Sequence, residues 1–179
     1  MTRHKAAGRY ARAAFDMALE QGKLEQLRED LHELEWVIRE SLDFAGFIGN
    51  YLIPAERRVK ALRALIEGRV SPIAMKFLLF LESKKRLGLL AEICHTFEEL
   101  YDAHEGILKV TITSTRPLSE TQLEEIEHKL ERKYEKKIKT GIHIDPSLIG
   151  GFRIHVGDRI EDYSLFTQLA VLKQNLIHG

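Results

Sequence analysis

Three kinds of residue in this chain have the types needed for chemistry, and in each case the spacing argues against it. Gly150, Gly151 and Gly157 form a glycine-rich stretch of the sort that can cradle a phosphate, but no Gly-Lys-Ser/Thr follows and the glycines open a strand pattern, not a helix. The eight histidines include no His-Glu-x-x-His pair. His143 and His155 could face each other across paired strands, but on polar faces, where solvated side chains and not metal ligands are the simpler reading. Glu124, Glu125 and Glu127 stand in a helical pattern without the apolar surroundings that raise a carboxyl pKa for acid-base work. Cys94 is the single cysteine, which excludes an internal disulfide and a cysteine-built zinc site, and its apolar neighbours make it a core thiol rather than a nucleophile. No Gly-x-Ser-x-Gly elbow is present. The expectation is a protein with no catalytic residues, no metal site and no cofactor.

Charge and length narrow the class further. Lys plus Arg and Asp plus Glu number 27 each in 179 residues, and the balance holds on either side of Gly106. A nucleic-acid binder normally concentrates cations, so that class is disfavoured, although Arg57, Arg58, Lys60 and Arg63 could form a local patch on a helical adaptor. Lys84-Lys85-Arg86 follows an apolar turn and reads as a solvated helix end. The longest apolar run is Phe77 to Leu81, far short of the roughly 20 residues that cross a bilayer, so membrane association is expected through partners and not by insertion.

The elements that carry these residues change grammar once. Up to Glu105 every apolar pattern has helical spacing, and the fold expected is a multidomain α+β protein: an all-helical bundle of about six helices over residues 1–105, then a small α/β domain over 106–179. In the first helix Tyr10, Ala14, Met17 and Ala18 mark one face and Ala7, Ala11 and Phe15 the next. That broad small-residue arc fits either a helix buried in a bundle or a partly exposed docking face. Leu24, Leu27, Leu31, Leu34 and Ile38 form a second seam, with Trp36 and Val37 expected to widen it; Val59, Leu62, Leu65 and Ile66 are expected buried in the helix after Pro54. Ser71-Pro72 is a cap followed by a first-turn proline, and opens a helix apolar nearly all round. Leu89 to Tyr101 supplies the last long helix before Gly106.

From Leu108 the apolar residues alternate, as strands require. Ser119 and Gln122 make a capping box for a helix with Leu123, Ile126, Leu130 and Tyr134 on its buried side. Ile138, Ile142 and Ile144 mark a second strand. Phe152, Ile154 and Val156 alternate with Arg153 and His155 in a hairpin turned at Gly157-Asp158. Leu165, Leu169, Leu172 and Leu176, with Phe166 and Ile177 beside them, give the last helix an apolar face wider than a narrow seam.

Three blocks carry a family likeness. Residues 144–158, with Pro146, Leu148-Ile149-Gly150-Gly151, Ile154 and Gly157-Asp158, the opening Tyr10, Ala11, Ala14, Phe15 and Ala18, and the helix Lys85 to Leu100 stand in the order of the delta subunit of F-type ATP synthases, the family of the mitochondrial oligomycin-sensitivity-conferring protein, which the chain resembles over nearly its whole length. The resemblance implies a non-catalytic stator that links the catalytic head to the peripheral stalk, one copy in a hetero-oligomeric complex at the cytoplasmic face of the bacterial cell membrane. It implies that the alpha subunit's N-terminal helix enters a groove at Tyr10, Ala11, Ala14, Phe15, Ala18, Ile73, Phe77, Phe80 and Leu81. The b subunit's C-terminal region is then expected at Phe166, Leu169, Leu172, Leu176 and Ile177, with Gly150, Gly151 and Gly157 structural. The chain departs from the family's pattern at Lys109 and Thr111, where alanine is frequent, and after Ser164, where a basic residue is frequent.

Overall fold

A computed structural model describes residues 3–148, 150–157 and 159–163. Among them the chain forms α1 (Arg3–Glu20), α2 (Leu24–Glu40), α3 (Leu42–Gly49), α4 (Ala55–Ile66), α5 (Pro72–Ser83), α6 (Leu90–His104), β1 (Ile107–Ser114), α7 (Glu120–Tyr134), β2 (Lys137–Ile144), β3 (Phe152–Val156) and β4 (Arg159–Asp162). Two compact units result, Met1–Tyr101 and a second beginning at Asp102. The helical-bundle-plus-sheet class expected from the sequence is the class observed.

In the first unit the core collects one stripe from each helix: Ala11 and Phe15, Leu27 and Leu31, Phe44 and Ile48, Leu62, Leu78 and Leu81, and Ile93 and Phe97. The Phe15 and Phe97 rings pack 5.8 Å apart. Ser71 caps α5 by accepting the Ala74 N–H, with Pro72 in the first turn, and the Asp30 carboxylate in turn accepts the Ser71 amide at 3.2 Å and its hydroxyl. On α2, Arg28 donates to Glu25 at 2.8 Å and to Glu98 of α6 at 3.1 Å, and its guanidinium lies 4.4 Å from the Tyr101 ring centroid. The Tyr101 hydroxyl donates to Glu25 and, with Arg28, holds that carboxyl below its ordinary pKa.

Two burial expectations fail here for one reason: apolar type does not by itself decide burial. Trp36 is 54% exposed and does not widen the α2 seam, and Leu65 is 47% exposed. On α4 it is Arg58 that turns inward, 2% exposed, donating to the Asn50 carbonyl at 2.9 Å and the Ile48 carbonyl at 3.1 Å while approaching Glu82 of α5 at 3.0 Å. Three oxygens inside the fold outweigh the water that an arginine normally seeks. The basic patch is thereby broken, since Arg58 is interior and Arg63 pairs with Glu67 at 3.2 Å.

In the second unit the four strands run in the order β2-β1-β3-β4, with β1 parallel to β2 and antiparallel to β3. A parallel pair needs a crossover, and α7 supplies it. The Ser119 hydroxyl accepts the Gln122 N–H at 3.3 Å while the Gln122 side chain accepts the Ser119 N–H at 3.1 Å. Val110, Ile112, Leu130, Ile154 and Val156 form the core, with Leu123, Ile126 and Tyr134 packed beside it. The hairpin of β3 and β4 pairs Val156 with Arg159, and Gly157 supplies the left-handed turn with φ 56°. His143 and His155 do not meet: β1 lies between their strands, opposing His143 with Thr113 and His155 with Thr111. Ile142 and Ile144 are about half exposed because β2 is an edge strand.

Candidate functional site: a cleft between two helices

Alanines thin one flank of α1, and α5 sets Phe77 and Phe80 one turn apart, so the two helices leave an apolar cleft of about 250 Å³ between them. Its walls are Ala13, Ala14 and Met17 from α1 and Lys76, Phe77 and Phe80 from α5. The Tyr10 ring meets the Phe80 ring edge-on at 6.1 Å. Phe80 is 42% exposed, an unusual placement for a phenylalanine in a helix this apolar, and Lys84 Nζ stands 5.7 Å from its ring centroid.

The nine groove residues expected from the sequence divide between this cleft and the bundle interior. Ala14, Phe77 and Phe80 line the cleft and half-buried Tyr10 stands against it. Ala11, Phe15 and Ala18 of α1 and Ile73 and Leu81 of α5 are buried in the core of the first unit, where Phe15 meets Phe97 of α6. Ala13, Met17 and Lys76 were missed as site residues. Met17 was legible as part of the Tyr10–Ala14 face, whereas Ala13 and Lys76 carry no apolar signal strong enough to separate a rim from a solvent face.

A second hollow of about 280 Å³ lies in the sheet unit, with Ile126, Leu130, Phe152 and Ile154 at its base and Lys133, Glu161 and Tyr163 at its edge. Glu161 accepts from Lys133 and, at 2.7 Å, from the Tyr134 hydroxyl; these bonds hold its carboxyl below the ordinary range and push the two donors up. Gly151 has φ 79° just before β3, and the Gly150 N–H donates to the Leu148 carbonyl at 2.6 Å, so the glycine pair shapes the entry to that strand. The expected b-subunit residues Phe166, Leu169, Leu172, Leu176 and Ile177 lie outside the described residues. Cys94 is buried, and burial pushes its thiol well up, leaving little thiolate. Among the described residues no cluster of His, Cys, Asp or Glu could hold a metal, and no helix is long and apolar enough to cross a membrane.

A helical bundle with an apolar cleft between α1 and α5 is followed by a small mixed sheet, an α+β architecture. The sequence matches the family described as ATP synthase delta (OSCP) subunit over residues 6–176. It is 31% identical to the ATP synthase subunit delta of Syntrophomonas wolfei over 98% of this chain and 97% of that protein. It is 36% identical to that of Beijerinckia indica over 95% of this chain and 90% of the relative. A chain of the mitochondrial ATP synthase hexamer of Toxoplasma gondii superimposes with a TM-score of 0.70 at 27% identity, covering 96% of this chain and 97% of that one. The chain therefore belongs to the ATP synthase delta (OSCP) family: it is a subunit within an ATP synthase assembly, a component of the peripheral stalk that is structural and not catalytic.

Proposed function

We propose that the first unit binds the N-terminal helix of the synthase alpha subunit in the α1/α5 cleft, and that the C-terminal residues Phe166, Leu169, Leu172, Leu176 and Ile177 meet the C-terminal region of the b subunit. One copy would then tie the catalytic head to the stalk at the cytoplasmic face of the bacterial membrane and resist the torque of proton-driven rotation. The observation that carries this reading is the cleft itself. Its apolar floor and half-exposed phenylalanine suit the apolar stripe of an amphipathic helix laid lengthwise, the helix-in-groove mode of recognition.

Co-purification tests it. The tagged full chain should bring down both alpha and b. A chain ending at Tyr163 should keep alpha and lose b, with its own sheet unit still folded by circular dichroism. Normal recovery of b by the folded shortened chain places that contact elsewhere, and loss of alpha from the full chain with Phe80→Asp places the first contact at the cleft.

A further inference from the structure

The loop between α3 and α4 presents two large side chains outward on a fixed backbone. Tyr51 is 54% exposed and Leu52 93%. Buried Arg58 of α4 donates to the Asn50 carbonyl at 2.9 Å and the Ile48 carbonyl at 3.1 Å, and the Asn50 side chain accepts the Leu52 N–H at 3.0 Å. The Arg58 guanidinium also lies 5.2 Å from the centroid of the Tyr51 ring. At its other end that ring reaches Gly88, where a Cβ would stand 2.6 Å from the Tyr51 hydroxyl, so glycine there leaves the ring its place.

Beside the loop is a hollow of about 310 Å³ lined by Gly49, Tyr51, Arg86, Gly88 and Leu89. Leu89 is buried and supplies its apolar side. Arg86 is exposed and, among the described residues, has no carboxylate partner; exposed Lys85 precedes it in a left-handed turn with φ 55°. None of these residues lines the α1/α5 cleft. Arg58 and Gly88 serve the bundle by fixing the loop, but outward Leu52 and unpaired Arg86 add nothing to its stability. Tyrosine and arginine are the side chains that most often anchor interfaces, and a loop already fixed loses little freedom when it binds.

Resting on the reading that the first unit ties the stalk to the catalytic head, we propose that this loop and hollow form a second contact with the head, separate from the helix-docking cleft. The charges name the occupant, since Lys85 and Arg86 are cations and no acid lines the hollow. It is an acidic segment with an apolar residue next to its carboxylate. The carboxylate pairs with the Arg86 guanidinium, whose planar fork can give it two hydrogen bonds, and the apolar neighbour packs on Leu52.

The test compares two probes, the catalytic head stripped of this subunit and the isolated N-terminal peptide of the alpha subunit, each titrated with the full chain and with its Leu52→Asp and Arg86→Glu variants. Both positions are exposed, so the variants should keep the native circular dichroism and thermal midpoint. Each should bind the head at least about tenfold more weakly while holding the peptide as tightly as the native chain does. Arg86→Glu should lose most at low salt, and the gap should narrow at about 0.5 M, where the Debye length falls to a few ångströms. Full affinity of both variants for the head overturns the second contact and leaves the cleft untouched. Equal loss toward head and peptide assigns the loop to bundle packing and overturns it as well. A native chain that binds the head but not the peptide refutes the cleft, and the head titration alone then decides the loop.

Discussion

Tyr10 and Phe80 meet with ring centroids 6.1 Å apart and planes at 62°, an edge-on pair that ties α1 to α5 beside the apolar cleft lined by Ala14, Met17 and Phe77. Such a pair contributes roughly 0.5–1.5 kcal/mol beyond the area it buries. Phe80 nonetheless remains 42% exposed, so α5 retains apolar surface that its own bundle leaves uncovered. Tyr10→Ala should therefore lower the thermal midpoint by a few degrees and weaken helix-peptide binding together, since one ring serves both packing and the cleft wall. A loss of stability with unchanged peptide affinity would show that Tyr10 only braces the bundle.

Arg58 and Glu82 make the second prediction. Both are buried, 3% and 5% exposed at their side chains, and approach to 3.0 Å. Removing one partner strands the other, so Glu82→Ala should cost roughly 3–5 kcal/mol in urea unfolding, while Arg58→Met/Glu82→Leu together should recover most of it. A double variant as unstable as the single would mean that the carbonyls of Ile48 and Asn50, not Glu82, are what Arg58 holds in place.

The bundle and the sheet were legible where local chemistry decides structure. Ser71-Pro72 and Ser119 with Gln122 announce helix starts that backbone hydrogen bonding then fixes, and the alternation of Phe152, Ile154 and Val156 admits one strand face. Legibility ended where neighbours far along the chain decide. Arg58 is interior because Ile48, Asn50 and Glu82 surround it, and nothing within its own helix signals that. Strand order is decided in the same non-local way: β1 is inserted between β2 and β3, so His143 and His155 do not lie on neighbouring strands. At the cleft the apolar face of α1 was visible, but the division of that face between core (Ala11, Phe15, Ala18) and wall (Ala13, Ala14, Met17) depends on where α5 crosses it.

The sheet unit should be acid-labile through Glu161. Its folded carboxyl is held below its ordinary value of 4.5, chiefly by Lys133 and then Tyr134, so the group stabilises the fold above that value and the contribution is lost as pH falls through the lowered folded pKa. Glu161→Gln should flatten the fall in stability of the second unit below about pH 5, measured by urea unfolding followed through its tyrosines. An unchanged acid limb would assign the lability to other carboxylates.

Cys94 offers a check on bundle integrity. Buried at 3% exposure and with its thiol pushed up by burial, it should resist alkylation in the native protein and react once urea opens the bundle. Rapid native labelling would mean that α6 is not packed as described.

A fragment of residues 1–105 includes all of α1 to α6, and should keep its helical circular dichroism and unfold cooperatively on its own. A fragment without helix signal would show that the two units depend on each other.

Calorimetric titration of the alpha subunit's N-terminal peptide into the full chain and its Phe80→Asp variant decides whether that helix docks in the α1/α5 cleft. Because Phe80 is already partly exposed, the variant should remain folded by circular dichroism. An aspartate there removes an apolar anchor whose burial is worth roughly 1.5–3 kcal/mol, so the peptide should bind the native chain saturably and the variant at least about tenfold more weakly. A folded Phe80→Asp chain that binds the peptide as tightly as the native one would mean that the helix docks elsewhere.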